Sequence, residues 1–342
     1  MVPAEWLHLA VFPFFMKNKM KALVTGSSGF IGGHLVRHLL QRGYDVSCLV
    51  RATSEPRALA GLPVSRICGS YFDLEFLRHA VKGTDYVFHA GAVLSAPDWP
   101  DYFKTNVEGT ANILEACAQV NPGLRKFVYV SSISAVGPAV DKKPLRESDG
   151  CQPVSLYGKS KCLAEQTAVA FFARLPIVIV RPPNVLGVGQ KELLAVLKLI
   201  RRRIAPMIGR QEKQTSICFV QDLVRALVLV AENERARGKT YFVAAAEFYS
   251  WREILAQLLL EMDMKFVLKI PHHLLLILAF VSEAIARLTG KAPLITRSDL
   301  RSARDNYWLC DASLIREELG FNTEIEFAQG IRDIVRDFIA KS

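Results

Sequence analysis

Short apolar runs alternate with longer amphipathic segments along the first half of the chain. The runs at 22–24, 44–50, 64–67, 85–89, 126–130 and 176–180 are bounded by glycine, proline or polar residues, which predicts buried strands. The segments after residue 30 and at 74–82, 104–119 and 157–173 have apolar residues three and four apart, which predicts helices. Because strands and helices alternate in order, the pattern predicts an α/β fold with a doubly wound parallel sheet.

The pattern changes after residue 184. Helical stretches near 190–203 and 222–234 flank the apolar run 216–220, and 240–243 predicts one more strand. Ser250 and Glu253 form a capping-box pair that opens a helix to about residue 262. The remainder is mostly helical, which predicts a smaller lobe over the carboxyl edge of the sheet.

Composition narrows the class of protein. The 342 residues are 51% hydrophobic, enough for a large core, and the net charge of +10 is dispersed along most of the chain. The charge fits either an ordinary solvated surface or attraction to anionic cofactors, substrates or membranes. No basic stripe is interleaved with aromatic residues, so we expect no nucleic-acid partner. The seven cysteines show no C-x-x-C spacing and predict free thiols in a reducing, cytoplasmic compartment, with no metal site.

Two apolar stretches bear on membranes. Residues 1–16 are apolar but precede the basic cluster 17–21, which is the wrong order for a signal peptide. Met20 directly precedes the first strand, so we interpret 1–19 as a dispensable N-terminal extension. The run 274–281 is the most apolar, yet too short to cross a bilayer. It predicts a buried helix of the small lobe, with an apolar lid or a peripheral membrane contact as alternatives.

A glycine motif follows the first strand. Gly26, Gly29 and Gly32 are spaced G-x-x-G-x-x-G between the run 22–24 and an amphipathic helix that ends at Gly43. A dinucleotide pyrophosphate could bind at this helix N-terminus, where backbone N–H groups are free. An ordinary strand-to-helix turn gives the same spacing, so the motif alone leaves both interpretations open.

Residues at two later strand ends suit the same cofactor. Arg51 ends the second strand, where an acidic residue would bind the ribose 2′-OH of NAD. An arginine suits a 2′-phosphate, so we expect NADP(H) to be favoured over NAD(H). A solvated loop arginine is the alternative. After the run 85–89, the small residues Ala90, Gly91 and Ala92 would let a cofactor lie close to the backbone.

The candidate chemistry comes from a tyrosine and a lysine. Tyr157 and Lys161 are four residues apart and share one face of the predicted helix. A nearby ammonium lowers the pKa of a phenol, which would make Tyr157 an acid/base for a carbonyl or alcohol. Ser132, just after the strand 126–130, could bind the same oxygen, and Ser131 is one residue earlier. Such pairs are also common on helix surfaces.

These motifs together resemble the extended short-chain dehydrogenase/reductase superfamily, also called the NAD-dependent epimerase/dehydratase family. The resemblance covers about residues 20–340 and includes the motifs at 25–32, 106–110, 131–132, 157–161, 181–185 and 219–223. It implies a Rossmann domain of about seven strands at 20–185, with 216–246 returning to it. A small, mostly helical substrate lobe would comprise 186–215 and 247–342.

The resemblance also implies a role for each matching residue. Tyr157 would be the acid/base, Lys161 would bind the nicotinamide ribose and lower the pKa of Tyr157, and Ser132 would hold the substrate oxygen. Asn106 would be structural. The cofactor would lie against Gly26, Ser28, Gly29, Phe30, Ile31, Gly32, Arg51, Ser70, Tyr71, Ala90, Gly91, Ala92, Val130, Pro182, Pro183, Asn184 and Val185.

The branch most similar to this sequence is that of dihydroflavonol-4-reductase and 3β-hydroxysteroid dehydrogenase. It implies interconversion of a ketone and a secondary alcohol on a small, lipophilic or cyclic substrate. The alternatives are a nucleotide-sugar epimerase with tightly bound NAD and a non-catalytic dinucleotide-sensing or scaffold protein of the same fold. One departure concerns Gly69-Ser70-Tyr71, where the family has Gly-Asp-Leu, so Tyr71 would stack on or border the adenine. Family analogy implies a homodimer through helices 104–119 and 157–173.

Overall fold

The computed structural model describes residues 19–51, 57–206, 214–265, 268–270, 272–289 and 307–341. The strands are β1 (Lys21–Thr25), β2 (Asp45–Val50), β3 (Ser65–Cys68), β4 (Tyr86–His89), β5 (Lys126–Val130), β6 (Ile177–Arg181), β7 (Asn184–Leu186), β8 (Ile204–Pro206), β9 (Gln214–Phe219), β10 (Thr240–Phe242), β11 (Phe248–Ser250) and β12 (Leu268–Ile270). The helices are α1 (Phe30–Gln41), α2 (Leu74–Val81), α3 (Trp99–Tyr102), α4 (Gly109–Val120), α5 (Ile133–Val136), α6 (Leu156–Ala170), α7 (Lys191–Arg201), α8 (Val220–Glu232), α9 (Trp251–Glu261), α10 (His272–Thr289), α11 (Ser313–Leu319) and α12 (Phe327–Ala340).

A parallel sheet of seven strands forms the centre of the molecule. Its strand order is β10-β6-β5-β4-β1-β2-β3, and every neighbouring pair is parallel. The central strands β4, β5 and β6 are buried along their whole length, as their continuous apolar runs predict. One apolar cluster packs with α1 and α8 on one face, and a second packs with α2, α4 and α6 on the other. The predicted doubly wound sheet is thus confirmed.

The helix that we expected at 104–119 is longer and irregular. α3 and α4 are joined by a π-helical stretch, Phe103–Glu108, so helical backbone runs from Trp99 to Val120. A π-turn widens the helix by one residue per turn and often marks a functional position. Here it contains Asn106, whose buried side chain is described below.

The region after residue 184 has more strands than the sequence pattern indicates. β7, β9 and β11 form a three-stranded sheet, and β8 pairs with β12. Most of these strands have only three residues, too few for a period of two to be recognised. The predicted capping box is confirmed, since Ser250 and Glu253 exchange hydrogen bonds at the start of α9.

The apolar run 274–281 lies within α10 and is only partly buried. Leu275 and Ala279 are buried, whereas Leu274, Ile277 and Leu278 are at least 44% exposed. The expected fully buried helix is therefore wrong for its outer side. None of the described helices combines the length and apolar character that a bilayer span requires.

Candidate active site

The residues predicted for the site are brought together at one edge of the large sheet. Because β1 to β6 are parallel, their carboxyl ends meet there. The glycine turn follows β1, Arg51 follows β2, and Ser70 and Tyr71 follow β3. Ala90–Ala92, Ser132 and Pro182 follow β4, β5 and β6 in the same way.

The turn after β1 accepts only glycine at two positions. Gly26 has φ +67°, and a Cβ there would lie 2.7 Å from the Ala90 carbonyl and the Gly91 Cα. A Cβ on Gly32 would overlap the Gly26 carbonyl oxygen. Both glycines therefore permit the tight turn and bring it against the loop after β4.

The N-terminus of α1 fits a pyrophosphate. Its N-cap is Gly29, so no side chain accepts a hydrogen bond from the first-turn N–H groups, and that turn has no acidic residue. The N–H groups at Phe30 and Ile31 belong to this first turn, and the positive end of the helix dipole adds to their attraction for anions. Among the described residues, a Cβ on Gly29 would meet only the Gly26 carbonyl, at 3.1 Å, so the described part of the chain leaves this side of the turn open. Ser28 is exposed beside it.

The expected adenine side contains an inward-facing tyrosine. The Tyr71 ring meets the His89 ring edge-on at 5.8 Å, and a Cβ on Gly91 would overlap the Tyr71 hydroxyl. Burial raises the pKa of Tyr71, and its hydrogen bond to Thr25 and the charge of Arg51 oppose that rise. Tyr71 thus fills the space beside His89 and the loop after β4, whereas Arg51 and Ser70 are exposed.

Ser132, Tyr157 and Lys161 lie together, and each has different polar neighbours. The Ser132 hydroxyl lies close enough to the Tyr157 phenol to lower its pKa as a hydrogen-bond partner. The Lys161 side chain is 2% exposed, and its ammonium donates to the Val130 carbonyl at 2.7 Å. It also lies 4.4 Å from the centre of the Tyr129 ring. The Ser131 hydroxyl, by contrast, is buried and has no hydrogen-bond partner among the described residues.

The pKa of Tyr157 differs from the expectation. Burial raises it to about 12, and the hydrogen bond from Ser132 only partly offsets this. Burial also lowers the pKa of Lys161 to about 7, against the opposing charge of Glu165. Desolvation disfavours both charged forms, so in this structure the phenol keeps its proton at neutral pH.

The loop after β6 completes the edge. Pro182 and Pro183 are buried, and the Pro182 carbonyl accepts from the Ile133 N–H at 2.9 Å. Asn184 and Val185, at the start of β7, are more exposed. Arg181 anchors the loop from below through a buried ion pair with Glu165, with N–O distances of 2.6 and 3.0 Å.

A buried polar chain links the glycine turn to the tyrosine helix, and sequence reasoning missed it. The Thr25 hydroxyl bonds to Nδ1 of His89 at 2.7 Å, and Nε2 of His89 bonds to the Thr110 hydroxyl at 3.0 Å. Thr110 donates to the Asn106 carbonyl, so we infer that Nε2 of His89 carries the ring proton. Burial and the Lys161 charge lower the pKa of His89 to about 3, which keeps the ring neutral. A histidine ending a buried strand was the only signal in the sequence.

Asn106 extends this chain to α6. Its side chain accepts from the Val93 N–H and donates to the Val93 carbonyl, at 2.7 and 3.0 Å. It also donates to the Ser160 hydroxyl, which donates to the Tyr157 carbonyl at 2.7 Å. Asn106 therefore connects the loop after β4 with the helix that presents Tyr157, a structural position of the kind that the resemblance implies.

Two aromatic side chains of α3 lie near α6, and one of them, Tyr102, is close to Tyr157. Tyr102 is buried, donates to the Leu94 carbonyl at 3.2 Å and contributes to raising the pKa of Tyr157. The Lys159 ammonium lies 4.6 Å from the centre of the Trp99 ring. Both rings belong to the helix that follows the loop after β4.

Comparison with known proteins identifies the family. The model of the NAD dependent epimerase/dehydratase family matches residues 22–244. This match covers the seven-stranded sheet, the glycine turn and the Tyr157 helix. The chain therefore belongs to this family, and it is an NAD(P)-dependent enzyme of the extended short-chain dehydrogenase/reductase type.

Individual proteins agree with that assignment. A Synechocystis sp. protein provisionally named dihydroflavonol 4-reductase is 31% identical over 92% of this chain and 93% of its own. The 2-alkyl-3-oxoalkanoate reductase of Stenotrophomonas maltophilia is 29% identical over 92% of this chain and 98% of its own. The solved UDP-glucose 4-epimerase of Thermotoga maritima superposes with a TM-score of 0.78 over 94% of this chain and 99% of its own, at 23% identity, which shows the shared fold.

Proposed function

We propose that this enzyme reduces a ketone to a secondary alcohol on a small lipophilic substrate and prefers NADPH. The observation that carries the proposal is the proximity of the Ser132 hydroxyl to the Tyr157 phenol, one helical turn from the buried Lys161. The phenol keeps its proton at neutral pH. A protonated phenol is the form that reduction requires, because the substrate oxygen must gain a proton.

Bound NADPH would supply a hydride to the carbonyl carbon. The Ser132 hydroxyl would hold the carbonyl oxygen, and Tyr157 would give its proton to that oxygen, so that the C=O bond becomes a C–OH group. Water would then return a proton to Tyr157. Lys161, buried one turn along the helix, would hold the nicotinamide ribose and stabilise the transient phenolate.

Two features support a lipophilic substrate. Tyr102 supplies aromatic surface close to Tyr157, Trp99 lies against Lys159 on the same helix as Tyr157, and Leu94 is 65% exposed in the loop before α3. The Stenotrophomonas maltophilia relative is named for a ketone that has an alkyl chain. Arg51, exposed after β2 and near Tyr71, supports the preference for a 2′-phosphate.

The experiment compares Tyr157→Phe with the wild type on a panel of 2-alkyl-3-oxo acids and cyclic ketones, following NADPH oxidation. We expect turnover to fall at least about 1,000-fold, while the Kd of NADPH changes less than about threefold. Tyr44→Phe is the matched control, because it also removes one hydroxyl but lies at the start of β2, bound to Glu232. Near-wild-type turnover of Tyr157→Phe would rule out the mechanism.

The same preparation tests the alternatives. Cofactor that remains bound through gel filtration, with sugar-nucleotide epimerisation and no net redox change, would favour the epimerase. An inactive protein that binds NADPH across both substrate panels would favour a dinucleotide sensor.

A further inference from the structure

Helix α10 has an outward-facing apolar stripe that the chemistry above does not use. Its members are large aliphatic side chains that are each between 44% and 88% exposed: Leu274, Ile277, Leu278, Val281, Ile285 and Leu288. Their spacings of three and four residues place all six within an arc of about 100° of the helix. The opposite side contains the buried Leu275 and Ala279. We call these six residues the α10 stripe.

The α10 stripe is unusual for the surface of a soluble monomer. Such surfaces seldom expose contiguous apolar patches of more than a few hundred Å², and larger ones mark interaction sites. The two charged residues of the helix, Glu283 and Arg287, fall outside the arc at helical spacing. The stripe itself therefore contains no charged residue that would favour exposure to water.

The charged residues that flank α10 in the sequence indicate which kind of partner the stripe would bind. Residues 262–306 include seven Lys or Arg and four Asp or Glu. This positive excess in the sequence complements an anionic lipid surface, since a basic residue near the headgroups contributes about 1 kcal/mol. A second copy of this chain would bring the same positive charge against itself.

We propose that the α10 stripe docks on an anionic phospholipid bilayer, with α10 lying in the plane of the headgroups. An in-plane helix combines an apolar face with basic residues and does not span the membrane. No described helix, α10 included, is long and apolar enough to cross one. This placement is independent of the proposed ketone reduction, because none of the residues in the stripe is among those assigned to the chemistry.

Vesicle flotation of the full chain tests the proposal. We expect wild-type protein to float with vesicles of phosphatidylcholine and phosphatidylglycerol, and to float poorly with phosphatidylcholine alone. The double variant Leu278→Glu/Ile285→Glu should reduce partitioning at least about tenfold. The control Leu260→Glu/Ile339→Glu makes the same change at two side chains exposed on α9 and α12, and it should float like wild type.

A fluorescence measurement covers the case in which the double variant does not fold. Leu288→Trp places an indole on the stripe, and Leu260→Trp places one on α9. Vesicles with brominated acyl chains should quench the added fluorescence of the first variant and not that of the second.

The outcomes are distinct from those of the activity assay. Absence of wild-type flotation, equal flotation of the Leu278→Glu/Ile285→Glu variant, or equal quenching at both indoles would overturn the proposal. A wild-type dimer that dissociates in the Leu278→Glu/Ile285→Glu variant, by light scattering, would identify the stripe as an interface between copies instead. None of these outcomes changes the loss of turnover expected for Tyr157→Phe, so the two proposals can fail separately.

Discussion

The side-chain amide of Asn106 donates a 2.9 Å hydrogen bond to the Ser160 hydroxyl, and this bond joins two parts of the site. Asn106 lies in the π-helical stretch and holds both backbone groups of Val93 in the loop after β4. Ser160 lies in α6 and donates to the Tyr157 carbonyl. One buried amide therefore fixes the cofactor loop relative to the helix of the proposed acid/base.

Replacing Asn106 by Ala should uncouple the loop after β4 from α6, the helix that contains Tyr157. The Val93 N–H and carbonyl would lose their partners, at a cost of about 1–3 kcal/mol for a buried polar group. We expect kcat to fall at least about tenfold, with a smaller change in KM, because Tyr157 would lose its fixed position. The control is Asn112→Ala, which removes an amide bound to the Tyr71 carbonyl on the other side of the site. Equal effects of both variants on kcat would show that Asn106 is only structural.

Replacing Arg51 by Asp should change the cofactor preference. A carboxylate after β2 would repel a 2′-phosphate and could accept from a ribose 2′-OH. We expect the Kd of NADPH to rise at least about tenfold and that of NADH to stay the same or fall, as measured by fluorescence titration. Lys82→Asp makes the same charge change at the end of α2, on the opposite edge of the sheet. If neither Kd moves in Arg51→Asp, Arg51 is an ordinary surface residue.

Replacing Gly91 by Ala should weaken both folding and cofactor binding. The new Cβ would overlap the Tyr71 hydroxyl and lie 3.1 Å from Oγ1 of Thr25. We expect a lower midpoint of thermal unfolding and a higher Kd for NADPH, because the loop after β4 must move. Gly91→Ala/Tyr71→Phe removes the oxygen that is overlapped, so it should recover part of the loss. If the effects of the two substitutions on the unfolding midpoint and the Kd simply add, the Tyr71 hydroxyl is not what the new Cβ overlaps.

The sequence predicts the sheet better than it predicts the contacts beneath the site. The six apolar runs give strand ends whose residues, from the glycine turn to Pro182, must meet at one edge of a parallel sheet. The direction of a side chain does not follow from this pattern. The pattern does not indicate that the Tyr71 ring packs against His89. The expectation that Tyr71 stacks on or borders the adenine stays a prediction.

Burial explains the other differences. The spacing of Tyr157 and Lys161 suggested a lowered pKa for the phenol, but periodicity says nothing about how far both groups are removed from water. Desolvation raises the pKa of Tyr157 instead. The exposure of α10 was left open for the same reason, since an apolar run fits a buried helix, a lid or a membrane contact until the elements that cover it are known.

The neutral His89 should make folding stability depend on pH in the acidic range. Its pKa is about 3 in the folded protein, because of burial and the Lys161 charge, against 6.5 for the ordinary side chain. Between these values the unfolded chain binds one proton more, so the free energy of unfolding falls as pH decreases from 6.5 towards 3. This group contributes a slope of about 1.4 kcal/mol per pH unit. Denaturant unfolding of wild type and His89→Gln at pH 6.5, 5.5 and 4.5 measures it.

The variant is expected to be less stable at pH 6.5, because Thr25 and Thr110 lose the geometry of their imidazole partner. Its stability should nevertheless decline less steeply with acid, so the difference from wild type narrows by about 1.4 kcal/mol per pH unit. His79→Gln serves as control, since the His79 side chain is 81% exposed on α2 and should leave the wild-type slope unchanged. Parallel pH profiles for wild type and His89→Gln would mean that His89 is protonated in the fold, and that the assigned hydrogen-bond directions from Thr25 to Thr110 are wrong.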